Sequence, residues 1–128
     1  MKIKLTSVYV DDQKKALEFY TKTLGFVKKT DISAGNYRWL TVVSPEDPNG
    51  TELVLEPNDN PAAQQYQESI FKQGIPARMF FVTDIQKEYQ RLKGLGVKFK
   101  MEPTRTPGST IAQLDDTCGN LIQITQLG

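Results

Sequence analysis

The sequence predicts an α+β fold in which a unit of one strand, one helix and three further strands occurs twice. Short segments rich in β-branched residues alternate with stretches whose apolar residues recur at helical spacing. The pattern also repeats along the chain. Val10 and Val82 stand 72 positions apart, and each precedes a helical pattern that ends at Leu24-Gly25 or at Leu95-Gly96. A repeat of this length predicts two similar modules.

The first module is expected over about residues 1–60. It begins with a strand over 3–10, after which Asp11 or Asp12 can accept backbone N–H bonds and start a helix. Gly25 ends this helix, because glycine adopts the left-handed conformation that follows many helices. Strands are predicted over 26–32, 37–43 and 51–56.

The second module is expected over about residues 74–128, after a connecting helix at about 62–73. Asp84 caps the next helix, which ends at Gly96. Strands are predicted over 77–82, 97–101, 110–114 and 121–125. The whole chain of 128 residues therefore fits one domain made of two modules.

Charge and cysteine content limit the partners that the chain is expected to have. Its 16 basic and 15 acidic residues give a net charge of +1, which predicts no nucleic-acid partner. It contains no apolar run of about 20 residues, so no membrane span is predicted, and its N-terminal residues do not resemble a signal peptide. Cys118 is the single cysteine, which favours a reducing, cytoplasmic location.

The sequence contains no histidine, and this limits its chemistry more than any other count. Arrangements of Ser-His-Asp or Cys-His are excluded. Transition-metal sites in enzymes rely heavily on imidazole. Any general base must be a carboxylate, a lysine, a tyrosine or a thiolate.

Several short motifs together resemble the vicinal oxygen chelate superfamily, which includes glyoxalase I, extradiol dioxygenases, fosfomycin-resistance enzymes and bleomycin-resistance proteins. The resemblance covers essentially the whole chain and implies paired βαβββ modules whose sheets curl into cups for small ligands. The motifs are Val10-x-Asp12, Ala16-x-x-Phe19-Tyr20, Leu24-Gly25-Phe26, Glu52-Leu53-Val54-Leu55-Glu56-Pro57, Phe81-Val82-x-Asp84, Leu95-Gly96-Val97 and Asp116-x-x-Gly119-Asn120-x-Ile122.

The resemblance also indicates which positions hold the metal in metal-dependent members of the superfamily. They correspond to Leu5, Glu56, Ala77 and Gln123. Leucine and alanine have no lone pair to give a metal. We therefore expect no metal and no cofactor; the alternative is a weakly held cation with oxygen ligands at Glu56.

The same resemblance predicts the residues that line the cup. Glu56 is the candidate catalytic residue, as a general base or an anchor for an amine. In the alternative interpretation, Glu56 is a strand-end carboxylate that reaches solvent or pairs with a lysine or arginine. The predicted ligand-binding residues are Leu5, Ser7, Trp39, Glu56, Ala77, Met79, Gln113 and Gln123.

Tyr37, Arg38 and Trp39 enter the third strand, where alternation places Arg38 on the opposite face from the two aromatic residues. In one interpretation Arg38 clamps an anion and Trp39 stacks on a ligand. In the other, Trp39 lies in the core and Arg38 lies at a surface or dimer contact. Cys118 lies in a predicted turn over 115–120 and is assigned no catalytic role.

Two functions from different classes fit these observations. The first is a metal-free protein that binds a small organic molecule, for sequestration or sensing. The second is a lyase, isomerase or dioxygenase-like enzyme that uses Glu56 as a base or with a weakly bound divalent cation. In both cases the partner is a small organic molecule, and the family resemblance implies a homodimer.

Overall fold

The computed structural model describes all residues from 1 to 128 and confirms the α+β fold with two βαβββ modules. The chain forms two compact units, Met1–Gln64 and Gln65–Gly128, each with one four-stranded sheet. The expected module bounds of 1–60 and 74–128 stay a prediction. In chain order the elements are β1 (Leu5–Val10), α1 (Gln13–Glu18), β2 (Val27–Ala34), β3 (Tyr37–Val43), β4 (Glu52–Pro57), α2 (Pro61–Lys72), β5 (Arg78–Phe81), α3 (Ile85–Gly94), β6 (Phe99–Thr106), β7 (Ser109–Asp115) and β8 (Leu121–Leu127).

The first helix starts where the sequence predicts but changes its winding halfway. Asp12 caps it by accepting a 3.0 Å hydrogen bond from the Lys15 N–H. The α-helical part is followed by a π-helical segment over Phe19–Thr23. There the Thr21 hydroxyl donates to the Leu17 carbonyl at 2.6 Å, and such a side-chain bond competes with the regular backbone ladder.

The sheet of the first unit has the strand order β1-β4-β3-β2. β1 and β4 are parallel, and the other neighbours are antiparallel. A parallel pair needs a long crossover connection, which here contains α1 and the two intervening strands. The first and last strands of the module therefore lie side by side, with Leu5 opposite Glu52 and Tyr9 opposite Glu56.

Strand alternation gives this sheet two chemically different faces. The helix face is buried over its central part, where it packs with Ala16 and Tyr20. It carries Val8, Val10, Leu40, Val42, Leu53 and Leu55. We call the opposite side the aromatic face; it carries Leu5, Ser7, Tyr9, Tyr37, Trp39, Glu52, Val54 and Glu56.

The second unit repeats this topology with the strand order β5-β8-β7-β6. α3 packs on one face through buried Ile85, Tyr89 and Leu92, and the Tyr89 ring meets the Phe99 ring edge-on at 4.7 Å between centroids. β6 runs further than the predicted strand over 97–101. The extra residues include Pro103, which an edge strand tolerates because one of its sides makes no ladder bonds.

The turn between β7 and β8 is built around the buried Asp116 carboxylate. This side chain accepts hydrogen bonds from the Cys118 and Asn120 backbone N–H groups, at 2.7 and 3.0 Å, and from the Asn120 side-chain amide at 2.8 Å. Gln67 of α2 donates to the Cys118 carbonyl and to the Asn120 side chain, both at 3.1 Å. The turn therefore fixes α2 to the sheet of the second unit.

A glycine substitution in this turn provides a test of that fixation. Gly119 has φ +103°, and a Cβ added there would lie 2.6 Å from the Gln67 amide nitrogen; Gly108 has φ +80° and open space around it. Gly108→Ala should cost about 1–2 kcal/mol for the left-handed conformation alone. Gly119→Ala should cost at least about 1 kcal/mol more, because it also displaces Gln67. Urea unfolding measures both changes in the free energy of unfolding. Equal losses in the two variants would contradict the role assigned to the contact between this turn and Gln67.

Candidate functional site

A cavity of about 310 Å³ opens on the aromatic face of the first unit. It lies beyond the point where β3 and β4 stop pairing, since the ladder between these strands contains only the pairs Thr41 with Val54 and Val42 with Leu53. The cavity is large enough for a small organic molecule. Its lining consists of Ala34, Tyr37, Arg38, Trp39, Val54, Glu56, Pro57, Asp59 and Asn60.

Tyr37 and Trp39 form the aromatic wall of the cavity. They are two residues apart on β3 and therefore point to the same face. Their exposed fractions are 47% and 45%, so large aromatic surfaces are available to a ligand. The interpretation that places Trp39 in the core is wrong, because it is Leu40 and Val42 that occupy the buried side of this strand.

Two glutamates lie on the aromatic face, but their side chains differ in what holds them. Glu52 accepts a 2.7 Å hydrogen bond from the Thr41 hydroxyl, and Thr41 in turn accepts from the Thr30 N–H at 3.2 Å. Glu56 lines the cavity, and no salt bridge in the described chain holds its carboxylate. Glu56 is therefore the carboxylate on β4 that can meet a ligand.

The linker between β4 and α2 forms the remaining wall. Asn60 starts α2 by accepting a 2.8 Å hydrogen bond from the Ala62 N–H, which fixes the path of the linker. Three lining residues of this linker, Pro57, Asp59 and Asn60, are absent from the ligand-binding residues predicted from the sequence. Their position in the sequence could have indicated this role. The linker directly follows β4, so it must pass beside the last side chains of that strand.

Arg38 reaches the cavity lining, but its charged group has a partner. The guanidinium makes a two-pronged salt bridge with Asp31 on β2, with Nε at 3.0 Å from one carboxylate oxygen and Nη2 on the other. The hydrogen bond from Arg38 lowers the pKa of the Asp31 carboxyl, with a smaller contribution from Lys28. The same pair raises the pKa of Arg38. In the interpretation where Arg38 clamps an anion, its planar fork would have to be free, and here Asp31 occupies it.

The structure groups the predicted ligand-binding residues of each unit on one sheet face. In the first unit, Trp39 and Glu56 line the cavity. Leu5 and Ser7 share the aromatic face but do not line the cavity, since β1 lies on the far side of β4.

The second unit aligns its predicted residues in a row across three strands. Met79 lies opposite Gln123, and Gln123 lies opposite Gln113. The Gln123 amide donates to the Thr125 hydroxyl at 3.2 Å. Ala77 lies just before β5, where its N–H donates to the Leu121 carbonyl at 2.8 Å.

The donor set does not fit a transition metal. The described chain has no group of three or more His, Cys, Asp or Glu side chains placed to hold a metal ion. Of the positions that the family resemblance indicates, Leu5 and Ala77 present hydrocarbon only. Cys118 is fully buried beneath its turn. None of the helices has both the length and the apolar character of a membrane-spanning segment.

What remains at the cavity is a site for stacking and charge recognition. Two aromatic rings supply apolar surface with a negative π face, while Glu56 and Asp59 supply carboxylates at the same opening. Arg38 is the only basic residue of the lining, and Asp31 already pairs with it. The opening therefore presents negative groups to an incoming molecule.

Comparisons with known proteins confirm the family resemblance. The family model described as "Glyoxalase/Bleomycin resistance protein/Dioxygenase superfamily" matches residues 2–124. The chain is 62% identical over 126 residues to a Bacillus subtilis protein described as "Uncharacterized protein YurT", covering 98% of this chain and 99% of that protein.

Two solved structures share both the fold and about a third of the sequence. The structure of UcmS2 has a TM-score of 0.84 at 31% identity, over 98% of this chain and 97% of that one. TnmS3, described as an antibiotic binding protein from Streptomyces sp. CB03234, has a TM-score of 0.79 at 30% identity, over 100% and 97%. The fold expected from the sequence is thus found in experimental structures of related chains.

The Asp31–Arg38 salt bridge predicts how the stability of the fold depends on pH. Carbon-13 NMR titration should give Asp31 a pKa below the ordinary value of an aspartate carboxyl, and Arg38→Gln should raise that pKa. Because the folded-state pKa lies below the unfolded one, the pair stabilises the fold above pH about 4, and the contribution is lost as pH falls through the folded pKa. An Asp31 pKa that is the same in both proteins would contradict the assigned pairing.

Proposed function

The chain belongs to the glyoxalase/bleomycin resistance protein/dioxygenase superfamily, and from that premise we propose that it binds a small planar organic molecule without a metal. The observation that carries the proposal is the cavity of the first unit, where half-exposed Trp39 and Tyr37 stand beside the Glu56 carboxylate. A concave, mainly apolar site with a few polar groups is typical of small-molecule binding.

The charges around the cavity favour a cationic ligand. Glu56 and Asp59 have no basic neighbour in the lining except Arg38, which Asp31 holds. A protonated amine would gain from both carboxylates and from the π faces of the aromatic rings. An anion would meet repulsion from the same carboxylates. We therefore propose an aromatic molecule that carries an amine.

The relatives support binding as the function of the site. TnmS3 is described as an antibiotic binding protein, and this chain matches nearly its full length. Binding of a toxic or signalling molecule requires no reacting group, in agreement with a cavity whose donors do not fit a transition metal. The proposed role is sequestration or sensing of the ligand.

Catalysis by Glu56 is the second candidate. It is favoured by one observation, namely that this carboxylate lines the cavity and no salt bridge holds it. A carboxylate in that position can accept a proton from a bound molecule. Metal analysis of the purified protein tests whether an enzyme here would depend on a metal: stoichiometric nickel, zinc, iron or manganese would favour a metal-dependent enzyme and contradict the metal-free proposal.

The ligand class can be tested with two probes that share one three-ring frame, cationic 9-aminoacridine and anionic acridine-9-carboxylate. Calorimetry should show binding of the cation and much weaker binding of the anion. Glu56→Gln should weaken the binding of 9-aminoacridine about fivefold, because a partly exposed charge pair contributes about that much to affinity. It should not weaken the binding of the anion. Trp39→Ala should weaken the binding of the cation at least about tenfold, because the stacking contact is lost.

The control for these measurements is Glu46→Gln, which makes the same charge change in the exposed loop before β4. It should leave both affinities unchanged. Equal affinity of the wild-type protein for the two probes would contradict the cationic preference. No binding of either probe would contradict the proposed site.

We also propose that the protein is a homodimer. Large apolar side chains stay exposed on the described surface, including Met79 at 49% and Phe81 at 61%, more than isolated surface residues explain. Sedimentation velocity at micromolar concentration should give a dimer, and Phe81→Asp should shift it toward monomer. Tyr66→Asp, at an exposed site on α2, is the matched control. A wild-type monomer would contradict this proposal.

A further inference from the structure

We infer that Gln13, which enters the sheet from the helix face, is a positioning residue that sets the opening of the cavity between Trp39 and Glu56. This inference rests on the proposed function for its importance to binding. Its structural basis is separate, because it depends only on how β3 and β4 are connected. Gln13 is the first residue of α1, and its side chain is partly buried.

The Gln13 side-chain amide bonds to the backbones of both strands. Its Nε2 donates to the Arg38 carbonyl at 2.7 Å and to the Leu55 carbonyl at 2.9 Å. Its Oε1 accepts from the Arg38 N–H at 3.1 Å. An amide that donates and accepts in this way provides the bonds that a neighbouring strand would supply.

These bonds lie where the ladder between β3 and β4 ends. The two strands pair at Thr41 with Val54 and at Val42 with Leu53, and no further pair follows toward the cavity. Continued pairing would bring the strands to the usual ~4.8 Å separation and place Trp39 directly beside Glu56. With the amide between the backbones, the two strands stay apart there.

The cavity is therefore the consequence of a gap in the sheet that one side chain holds. Trp39 follows Arg38, and Glu56 follows Leu55, so the residues bonded to Gln13 immediately precede those that face the ligand. Loss of the amide leaves two options: the strands close and fill the cavity, or the Arg38 and Leu55 groups lose their partners. Either outcome moves the Trp39 ring relative to Glu56.

Gln13→Glu is the sharpest variant. It keeps the size of the side chain and places a carboxylate at the helix start, where negative charge is favourable. The substitution removes both donated hydrogen bonds. It also places a negatively charged carboxylate against two carbonyl oxygens. Trp39 is the single tryptophan, so its fluorescence reports this position alone. We expect a shifted emission maximum and about a tenfold loss of 9-aminoacridine affinity.

Gln67→Ala is the matched control, because Gln67 also makes two hydrogen bonds through its amide nitrogen but belongs to the second unit. It should lower the free energy of unfolding while leaving the Trp39 emission and the probe affinity unchanged. A Gln13→Glu protein that folds with wild-type emission would overturn the inference.

Two further outcomes keep the inference separate from the proposed function. If the wild-type protein binds no 9-aminoacridine, the proposed function fails, and the emission of Gln13→Glu still decides the role of Gln13. If Gln13 variants do not fold, NMR of the wild-type protein decides instead. The Gln13 side-chain amide signals should shift when 9-aminoacridine is added, while those of Gln67 should not; an unmoved Gln13 signal would overturn the inference.

Discussion

The constraint on which the first unit depends is that its single long crossover covers one face of a four-stranded sheet. Because β1 and β4 are parallel, the chain between them must return through α1, and this helix packs with the aliphatic residues of the helix face. Strand alternation then sends the remaining side chains to the other face. Tyr37 and Trp39 lie on this aromatic face with nearly half of their surface exposed. The proposed binding site lies on the same face, which the helix does not cover.

Local hydrogen bonding decides which side chains on that face can meet a ligand. The Glu52 carboxylate on that face accepts a hydrogen bond from Thr41, and Arg38, whose position on β3 belongs to the helix face, is paired with Asp31, so neither charged group is left for a ligand. Glu56 lies at the end of β4, where the pairing with β3 has stopped and the linker to α2 begins. A site with aromatic walls and carboxylates at its opening follows from these contacts, and its chemistry suits recognition better than bond breaking.

Much of this architecture could be predicted from the sequence, because it is encoded in local patterns. The Val10 and Val82 repeat, the aspartate caps and the glycine stops gave the order of the elements, and β3 begins and ends at the predicted residues. The position of Trp39 required the register of two antiparallel pairs, since alternation shows which residues share a face but not which face is covered. The contacts of Gln13 join it to residues 25 and 42 positions away, for which no local signal exists, whereas Asp59 and Asn60 could have been inferred from their place directly after β4.

The proposed function requires that a ligand enters the gap between β3 and the end of β4. The most direct test is a nitrogen-15 NMR titration of the assigned wild-type protein with 9-aminoacridine. The largest shifts should fall on the Trp39 indole N–H and on the backbone N–H groups of 54–60, apart from Pro57. Shifts confined to the second unit, with Trp39 and this segment unmoved, would contradict it.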